Sequence, residues 1–232
     1  MRRVSALAAV AAGLAASVAA SGPSSKVAWT VETVKLVRSG NAAHGKKLHE
    51  DCAGCHGDNG VIDTPDVPNL AGQDALYTFK QLSDYKEGLR SSPIMGEAVK
   101  PLSEKDMADL AAFYASLAVA RGPDAVPAQA TAVLPLTRLG DGARLMPACD
   151  ACHGPRGAGD PGSYGMPKLR GQKFDDMSLQ LTTYRSGERG NDVYRVMRDV
   201  CKHLTDEEIA GLAAYYSGTA GKPPTAPTPA AK

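Results

Sequence analysis

Two copies of the pentapeptide Cys-x-x-Cys-His carry the side chains of this sequence that are best suited to chemistry. The first copy occupies residues 52–56 and the second residues 149–153. Two thiols at this spacing can form thioethers with the two vinyl groups of a haem, and the adjoining histidine is then placed to bind the iron. We therefore predict two covalent c-type haems, with electron transfer as the leading function. The predicted attachment residues are Cys52, Cys55, Cys149 and Cys152, and the predicted proximal iron ligands are His56 and His153.

Other uses of a Cys-x-x-Cys pair fit the sequence less well. Such a pair can form a disulfide, a redox-active dithiol or half of a zinc site. A zinc site needs four converging ligands, but the two pairs lie 97 residues apart and neither belongs to a compact Cys/His cluster. A thioredoxin-like dithiol is expected within a βαβ unit, and no strand-rich pattern surrounds these motifs. Haem attachment is the preferred interpretation.

A second axial ligand decides what each iron can do. An open iron face suits oxygen or peroxide chemistry, whereas a methionine sulfur closes that face and raises the reduction potential. Met95 and Met197 are the predicted ligands, because each lies seven residues before the matching leucine that precedes the last helix of its unit. The alternative is an ordinary core methionine. Met107, Met146, Met166 and Met177 have no methionine at the equivalent position of the other unit.

The remaining histidines and the fifth cysteine are expected to have structural roles. His44, His49 and His203 have no counterparts in the other unit and are predicted to be surface residues. Cys201, four residues after Met197, is predicted to be a buried or half-buried free thiol. Iron ligation by this cysteine is the alternative.

The sequence around each motif is also repeated, which indicates a tandem duplication. The offset between matching segments drifts only from 97 to 102 residues, as short loop insertions would cause. We predict two domains, at residues 40–120 and 138–217. Residues 45–48, 68–73 and 110–114 correspond to residues 142–145, 167–172 and 212–216.

Each unit is predicted to be helical, and the fold class is therefore all-α. Apolar residues recur every three or four positions over residues 74–87 and 174–185, which favours amphipathic helices. The last helix of each unit should begin at Ser103 or Thr205, since an acidic residue follows three positions later. Residues 42–48 and 141–145 are expected to begin the amphipathic helices that deliver the cysteines. Units of this size have a marginal core, so each should wrap around its haem.

Three segments lie outside the two units. Residues 1–20 contain two arginines followed by an apolar run of small residues, which indicates a secretory signal peptide and a periplasmic protein. If the leader is retained, it would hold the protein at the membrane surface. Residues 121–137 are predicted to be a linker, and the Pro-, Ala- and Thr-rich residues 218–232 a disordered tail.

The charge balance argues against nucleic acid as a partner. Without residues 1–20 the chain has 24 basic and 25 acidic residues, whereas nucleic-acid-binding domains are strongly basic. Residues 21–120 have an acidic excess of three and residues 121–232 a basic excess of two. Such asymmetry can orient encounters with charged partner proteins.

These motifs resemble those of the two-haem class I cytochromes c, specifically the cytochrome c₄ family. The likeness covers about residues 40–217 and includes the Pro-x-Leu-x-Gly-Gln segments and the Leu-Ala-Ala-[Phe/Tyr]-Tyr endings. It implies two class I cytochrome c domains about a pseudo-twofold axis, with their haems close together and both irons ligated by His and Met. It also implies that carbonyl groups of Pro68 and Pro167 fix the proximal histidines. The implied partners are a terminal oxidase, a cytochrome bc complex or a dehydrogenase.

Two other functions compete with a periplasmic single-electron carrier. One is the cytochrome subunit of a periplasmic dehydrogenase, such as a flavocytochrome c sulfide dehydrogenase, in which a flavin subunit performs the chemistry. The other is an enzyme, such as a diheme peroxidase or a thiosulfate-oxidising cytochrome. An enzyme would need an iron with an open or unusual axial position. The matched methionines argue against such a position, whereas Cys201, as an alternative iron ligand, leaves it possible. No catalytic residue is predicted.

Overall fold

Eleven α-helices form about half of the described chain in this computed structural model, which describes residue 25 and residues 29–119, 125–159 and 165–222. The first six are α1 (Val31–Arg38), α2 (Ala42–Leu48), α3 (Ala53–His56), α4 (Ala75–Lys86), α5 (Pro93–Val99) and α6 (Glu104–Ser116). The others are α7 (Leu134–Leu139), α8 (Cys149–His153), α9 (Phe174–Ser186), α10 (Val196–Cys201) and α11 (Asp206–Ser217). Within these ranges β-structure is limited to one isolated bridge, between Asp141 and Met146. The all-α prediction is confirmed. No helix in the described ranges has the length and apolarity needed to cross a membrane.

The last helix of each domain begins at the predicted cap. Ser103 and Asp106 form a complete capping box at the start of α6, and Thr205 and Glu208 form the same arrangement at α11. Each box satisfies backbone N–H groups at the helix start that have no partner within the helix. The longer amphipathic helices α4 and α9 also lie where the apolar periodicity predicts them.

The crossing of α2 and α6 holds the first domain together. A Cβ atom on Gly45 would lie only 2.0 Å from the carbonyl oxygen of Asp109, so glycine allows the two helices to touch. The next turn of α6 buries Phe113 and Tyr114. Helix α1 adds Val37, 2% exposed, to the same domain's core. We therefore propose that the first domain begins at α1 rather than at residue 40.

The second domain approaches its haem motif differently. Residues 141–145 do not begin an amphipathic helix, so that prediction was wrong. They form a single 3₁₀ turn (Gly142–Arg144), after which Leu145 is left-handed with φ 56°. A helix cannot run on to the cysteines because Pro147 lacks an N–H and disfavours the helical conformation of the residue before it.

Part of the predicted linker, residues 121–137, packs into the second domain. Its described portion contains a 3₁₀ helix (Ala128–Val133) that leads directly into α7. Ala130, Val133 and Leu136 are buried in the core cluster that includes α11. These apolar residues anchor the segment, so it is not a free spacer. We propose that the second domain begins near residue 128.

The first residues of the predicted disordered tail, 218–232, are ordered. Gly218 ends α11 in the left-handed conformation, with φ 73°. The side-chain amide of Gln129 donates to the carbonyl oxygen of Gly221 at 2.8 Å, and its oxygen accepts the N–H of Gly221 at 3.1 Å. Residues 223–232 and the predicted signal peptide, residues 1–20, lie outside the described residues.

Candidate haem sites and the interface between them

Each Cys-x-x-Cys-His motif forms a short helical turn that buries its histidine. His56 is 7% exposed and His153 is 6% exposed. Their Nδ1 atoms lie 3.2 Å and 2.8 Å from the carbonyl oxygens of Pro68 and Pro167, respectively. A carbonyl can only accept a hydrogen bond, so Nδ1 carries the proton and Nε2 keeps the lone pair that an iron ligand needs. The hydrogen bonds expected of the two prolines are therefore present.

Burial keeps both histidines in the ligand form. It lowers the pKa of His56 below the ordinary value, although the hydrogen bond to the Pro68 carbonyl acts in the opposite direction. Burial lowers the pKa of His153 in the same way. Neutral imidazole is the form that binds a metal ion, so both side chains are suited to iron at neutral pH.

The motif cysteines are compatible with haem attachment. None of the four forms a disulfide within the described residues. Burial raises the pKa of Cys52 and of Cys149, so neither is the low-pKa thiolate of a redox dithiol. A pair of reduced thiols three residues apart, followed by a neutral histidine, fits a covalent haem in each domain.

The predicted sixth ligands lie on equivalent short helices. Met95 is in α5, where the hydroxyl oxygen of Ser92 accepts the Met95 N–H at 3.3 Å. Met197 is in α10 and packs against the core cluster of the second domain. Both methionines are half-buried. Their equivalent placement is what two residues with the same role should show.

Cys201 is a fully buried free thiol, as predicted. Burial raises its pKa to about 12. A neutral thiol in the core is not the thiolate that binds metals. Cys201 was the residue that left an enzymatic function possible. Its environment is that of a small core residue.

The prediction that His49 is a surface residue was wrong, because its side chain is only 4% exposed. It lies on the turn between α2 and the first motif and faces α6. The sequence signal that could have identified it is the repeat, since the equivalent position is the apolar Met146.

The two domains meet through hydrogen bonds that follow the symmetry of the repeat. The side-chain amide of Gln172 bonds the N–H and the carbonyl of Asn69, at 3.0 and 2.7 Å. The side-chain amide of Gln73 bonds the N–H and the carbonyl of Lys168, at 2.8 and 3.0 Å. Gln73 is equivalent to Gln172 and Asn69 to Lys168, so a pseudo-twofold axis relates the two domains.

A second symmetric layer surrounds this axis. Arg90 donates to Gln180 at 3.1 Å, and the equivalent Arg189 donates to Gln81 at 3.1 Å. Each guanidinium also lies over a tyrosine ring of its own domain. Neither arginine bonds a carboxylate within the described ranges. Two partly or fully buried cations at the interface can therefore accept an anionic group.

Other contacts between the domains have no symmetric counterpart among the described residues, and a buried lysine makes one of them. The Nζ atom of Lys80 lies 2.5 Å from the carboxylate of Asp84 and 2.6 Å from the carbonyl of Asn191, in the other domain. Burial lowers the pKa of Lys80, and Asp84 acts in the opposite direction. The equivalents of Lys80 and Asp84 are Leu179 and Thr183, so this buried ion pair belongs to the first domain alone.

Comparisons with known proteins agree with this arrangement. The family model "Cytochrome c" matches the chain twice, over residues 42–118 and 140–219. Cytochrome c₄ of Pseudomonas aeruginosa is 36% identical, with 78% of this chain and 89% of the relative covered. The thiosulfate dehydrogenase electron acceptor of Stutzerimonas stutzeri strain A1501 is 33% identical, with 83% and 94% covered. The crystal structure of reduced recombinant cytochrome c₄ from Pseudomonas stutzeri has a TM-score of 0.70 at 35% identity, covering 78% of this chain and 99% of that one.

The family match in both halves accounts for the duplicated motif, and the solved relative shares the packing of two helical domains. Together with the identity over most of both chains, these matches show that this chain belongs to the cytochrome c family and to its cytochrome c₄ branch, as an electron carrier with two covalent c-type haems.

Proposed function

We propose that the protein is a periplasmic shuttle that passes single electrons between respiratory redox proteins. The observation that carries this proposal is the pair of equivalent haem motifs joined by a symmetric, hydrogen-bonded interface. Each bound haem supplies one iron that exchanges one electron. The proposed attachment residues are Cys52, Cys55, Cys149 and Cys152, and the proposed axial ligands are His56, Met95, His153 and Met197.

The surrounding residues favour transfer over catalysis. A histidine and a methionine would occupy both axial positions of each iron, so no position is left for a substrate. The proline carbonyls hold the proximal histidines in one orientation, which limits rearrangement when the charge on the iron changes. Arg90 and Arg189 are our candidates for residues that hold the haem carboxylates, since both are cations without a carboxylate partner in the described ranges.

Carbon monoxide binding and reoxidation kinetics test this function together. We expect the reduced protein not to bind carbon monoxide, because both axial positions are closed. We also expect rapid reoxidation by respiratory membranes from the native organism, with the protein recovered in the periplasmic fraction. Carbon monoxide binding at either haem, or peroxidase turnover by the purified protein, would contradict a pure carrier role.

Electron acceptance from a thiosulfate-oxidising enzyme is the second candidate. It is favoured by the relative from Stutzerimonas stutzeri, a thiosulfate dehydrogenase electron acceptor that matches over nearly its whole length. The discriminating experiment mixes oxidised protein with thiosulfate, with and without a purified thiosulfate dehydrogenase. Reduction that requires the enzyme would support this candidate. Equal, slow reduction in both mixtures would leave the general shuttle as the function.

A further inference from the structure

The peptide group that holds each proximal histidine is itself held by the other domain. The carbonyl of Pro68, which lies 3.2 Å from Nδ1 of His56, belongs to the same peptide group as the N–H of Asn69. That N–H donates to Oε1 of Gln172, in the second domain, at 3.0 Å. Two hydrogen bonds therefore run through one peptide group, from the histidine of the first domain to a glutamine of the second.

The pseudo-twofold axis repeats this chain of hydrogen bonds in the opposite direction. Nδ1 of His153 lies 2.8 Å from the carbonyl oxygen of Pro167. The N–H of the same peptide group is that of Lys168, and it donates to Oε1 of Gln73, in the first domain, at 2.8 Å. Each proximal histidine is thus connected through one peptide group to a glutamine of the other domain.

A second bond from each glutamine fixes the orientation of its side-chain amide. Nε2 of Gln172 donates to the carbonyl oxygen of Asn69 at 2.7 Å, and Nε2 of Gln73 donates to that of Lys168 at 3.0 Å. A backbone N–H can only donate and a carbonyl can only accept, so these partners determine which amide atom is the oxygen. Asn69 and Gln73 are only 7% and 6% exposed, so water has little access to these bonds.

Hydrogen bonds that share a peptide group strengthen one another. An acceptor on the N–H side makes the carbonyl oxygen on the other side more negative, because both ends belong to one delocalised system. Within a protein this cooperative strengthening amounts to roughly 10–30% per bond. A more negative carbonyl draws the Nδ1 proton of the histidine more strongly, which makes Nε2 a better donor to a metal ion.

We propose that Gln172 is a positioning residue for the first haem and Gln73 for the second, each adjusting the reduction potential of the haem in the other domain. The inference rests on the proposed ligation of the irons by His56 and His153. A stronger nitrogen donor favours ferric over ferrous iron, so each glutamine lowers the potential of the opposite haem. Docking of the two domains is thus part of what sets both potentials.

Redox titration of the holoprotein, with each haem followed by its own NMR resonances, tests the proposal. Gln172→Met, nearly isosteric and without an amide, should raise the equilibrium constant of reduction of the first haem about twofold to fivefold. The constant of the second haem should change by less than about 1.5-fold. The Nδ1–H resonance of His56 in the reduced protein should move upfield as its hydrogen bond weakens. Gln73→Met is the matched control, because it breaks the equivalent interface bonds but should change the second haem and His153.

This crossed pattern supports the proposal, and three results would overturn it: equal changes at both haems in each variant, changes confined to the haem of the variant's own domain, or no change at either haem. The alanine variants of the two glutamines should give the same pattern, so the test does not depend on one substitution. Gln172→Glu keeps an oxygen acceptor for the Asn69 N–H and should not raise the constant of the first haem. An unchanged first-haem spectrum in His56→Ala would instead refute the proposed ligation, which separates the two failures.

Discussion

At the scale of single residues, the first prediction concerns the proposed iron ligands Met95 and Met197. Because a thioether favours reduced iron, replacing Met95 or Met197 by alanine should lower the potential of its own haem by roughly 0.1–0.3 V, within the ~0.8 V that axial ligands span. The other haem should change little. Spectroelectrochemistry of each variant measures this. The control is Met166→Ala, because Met166 is exposed and has no counterpart in the repeat. Unchanged spectra at both haems would mean that the ligand is another residue.

Asp109 is a residue-scale source of pH dependence. Burial raises its pKa, but hydrogen bonds from the Asn41 N–H and from Lys105 and His44 hold it below the ordinary value. A carboxylate with a lowered folded pKa stabilises the fold above its unfolded pKa, near 4, and loses that contribution as the pH falls through the folded pKa. Asp109→Asn should cost about 1–3 kcal/mol at pH 7. It should also flatten the acid decline of first-domain stability, as urea unfolding between about pH 3 and 7 would show. An equally steep decline in the variant would contradict this assignment.

The sequence predicted the residues that a short motif or the internal repeat identifies. It did not predict burial that depends on contacts between residues far apart in the chain. The haem motifs can be recognised in the sequence because haem attachment needs two cysteines and a histidine at a fixed spacing. The matched methionines stand out only because the chain is duplicated. His49 was misplaced because its burial depends on Tyr114, 65 residues further along the chain. Such a contact exists only once α2 and α6 cross.

At the scale of elements, the crossing of α2 and α6 should be the most sensitive point of the first domain. Gly45→Ala places a Cβ atom against the backbone of Asp109, and the helices must separate. We expect a loss of about 1–3 kcal/mol in the free energy of unfolding. Gly142→Ala, at the equivalent position, meets nothing within 4 Å and should change stability by less than about 0.5 kcal/mol. Chemical denaturation compares them, and equal losses would contradict the close crossing.

Helices whose ends carry a capping motif could be predicted from the sequence. Segments whose conformation depends on packing against distant residues could not. Helices α6 and α11 carry their capping boxes in the sequence. The short turn before Cys149 was missed because the helical pattern of the first domain was extended past Pro147. The anchored part of the predicted linker was missed because proline and alanine suggest a spacer. Val133 and Leu136 are buried because they belong to the same core cluster as residues of α11, which the sequence alone does not show.

At the scale of the whole molecule, two glutamines provide four of the hydrogen bonds between the domains. Gln172→Ala and Gln73→Ala each remove two hydrogen bonds across the pseudo-twofold interface, and each should weaken it by about 1–3 kcal/mol. Calorimetry of the holoprotein should then show two separated unfolding transitions. Gln129→Ala is the control, because Gln129 makes the same pair of bonds to Gly221 within one domain. Equal separation in the control would argue against a special role of the interface. The repeat predicted two domains, but it did not show that the repeated Gly-Gln segments face each other.

Intact mass of the mature protein, measured after denaturation and removal of any dissociable cofactor, is the most direct test of the central claim. Four thiols free to form thioethers, two in each domain, predict a mass that exceeds the polypeptide by two haems. Peptide mapping should place one haem on Cys52 and Cys55 and the other on Cys149 and Cys152. A mass showing one haem or none would contradict the account of this protein as a two-haem carrier.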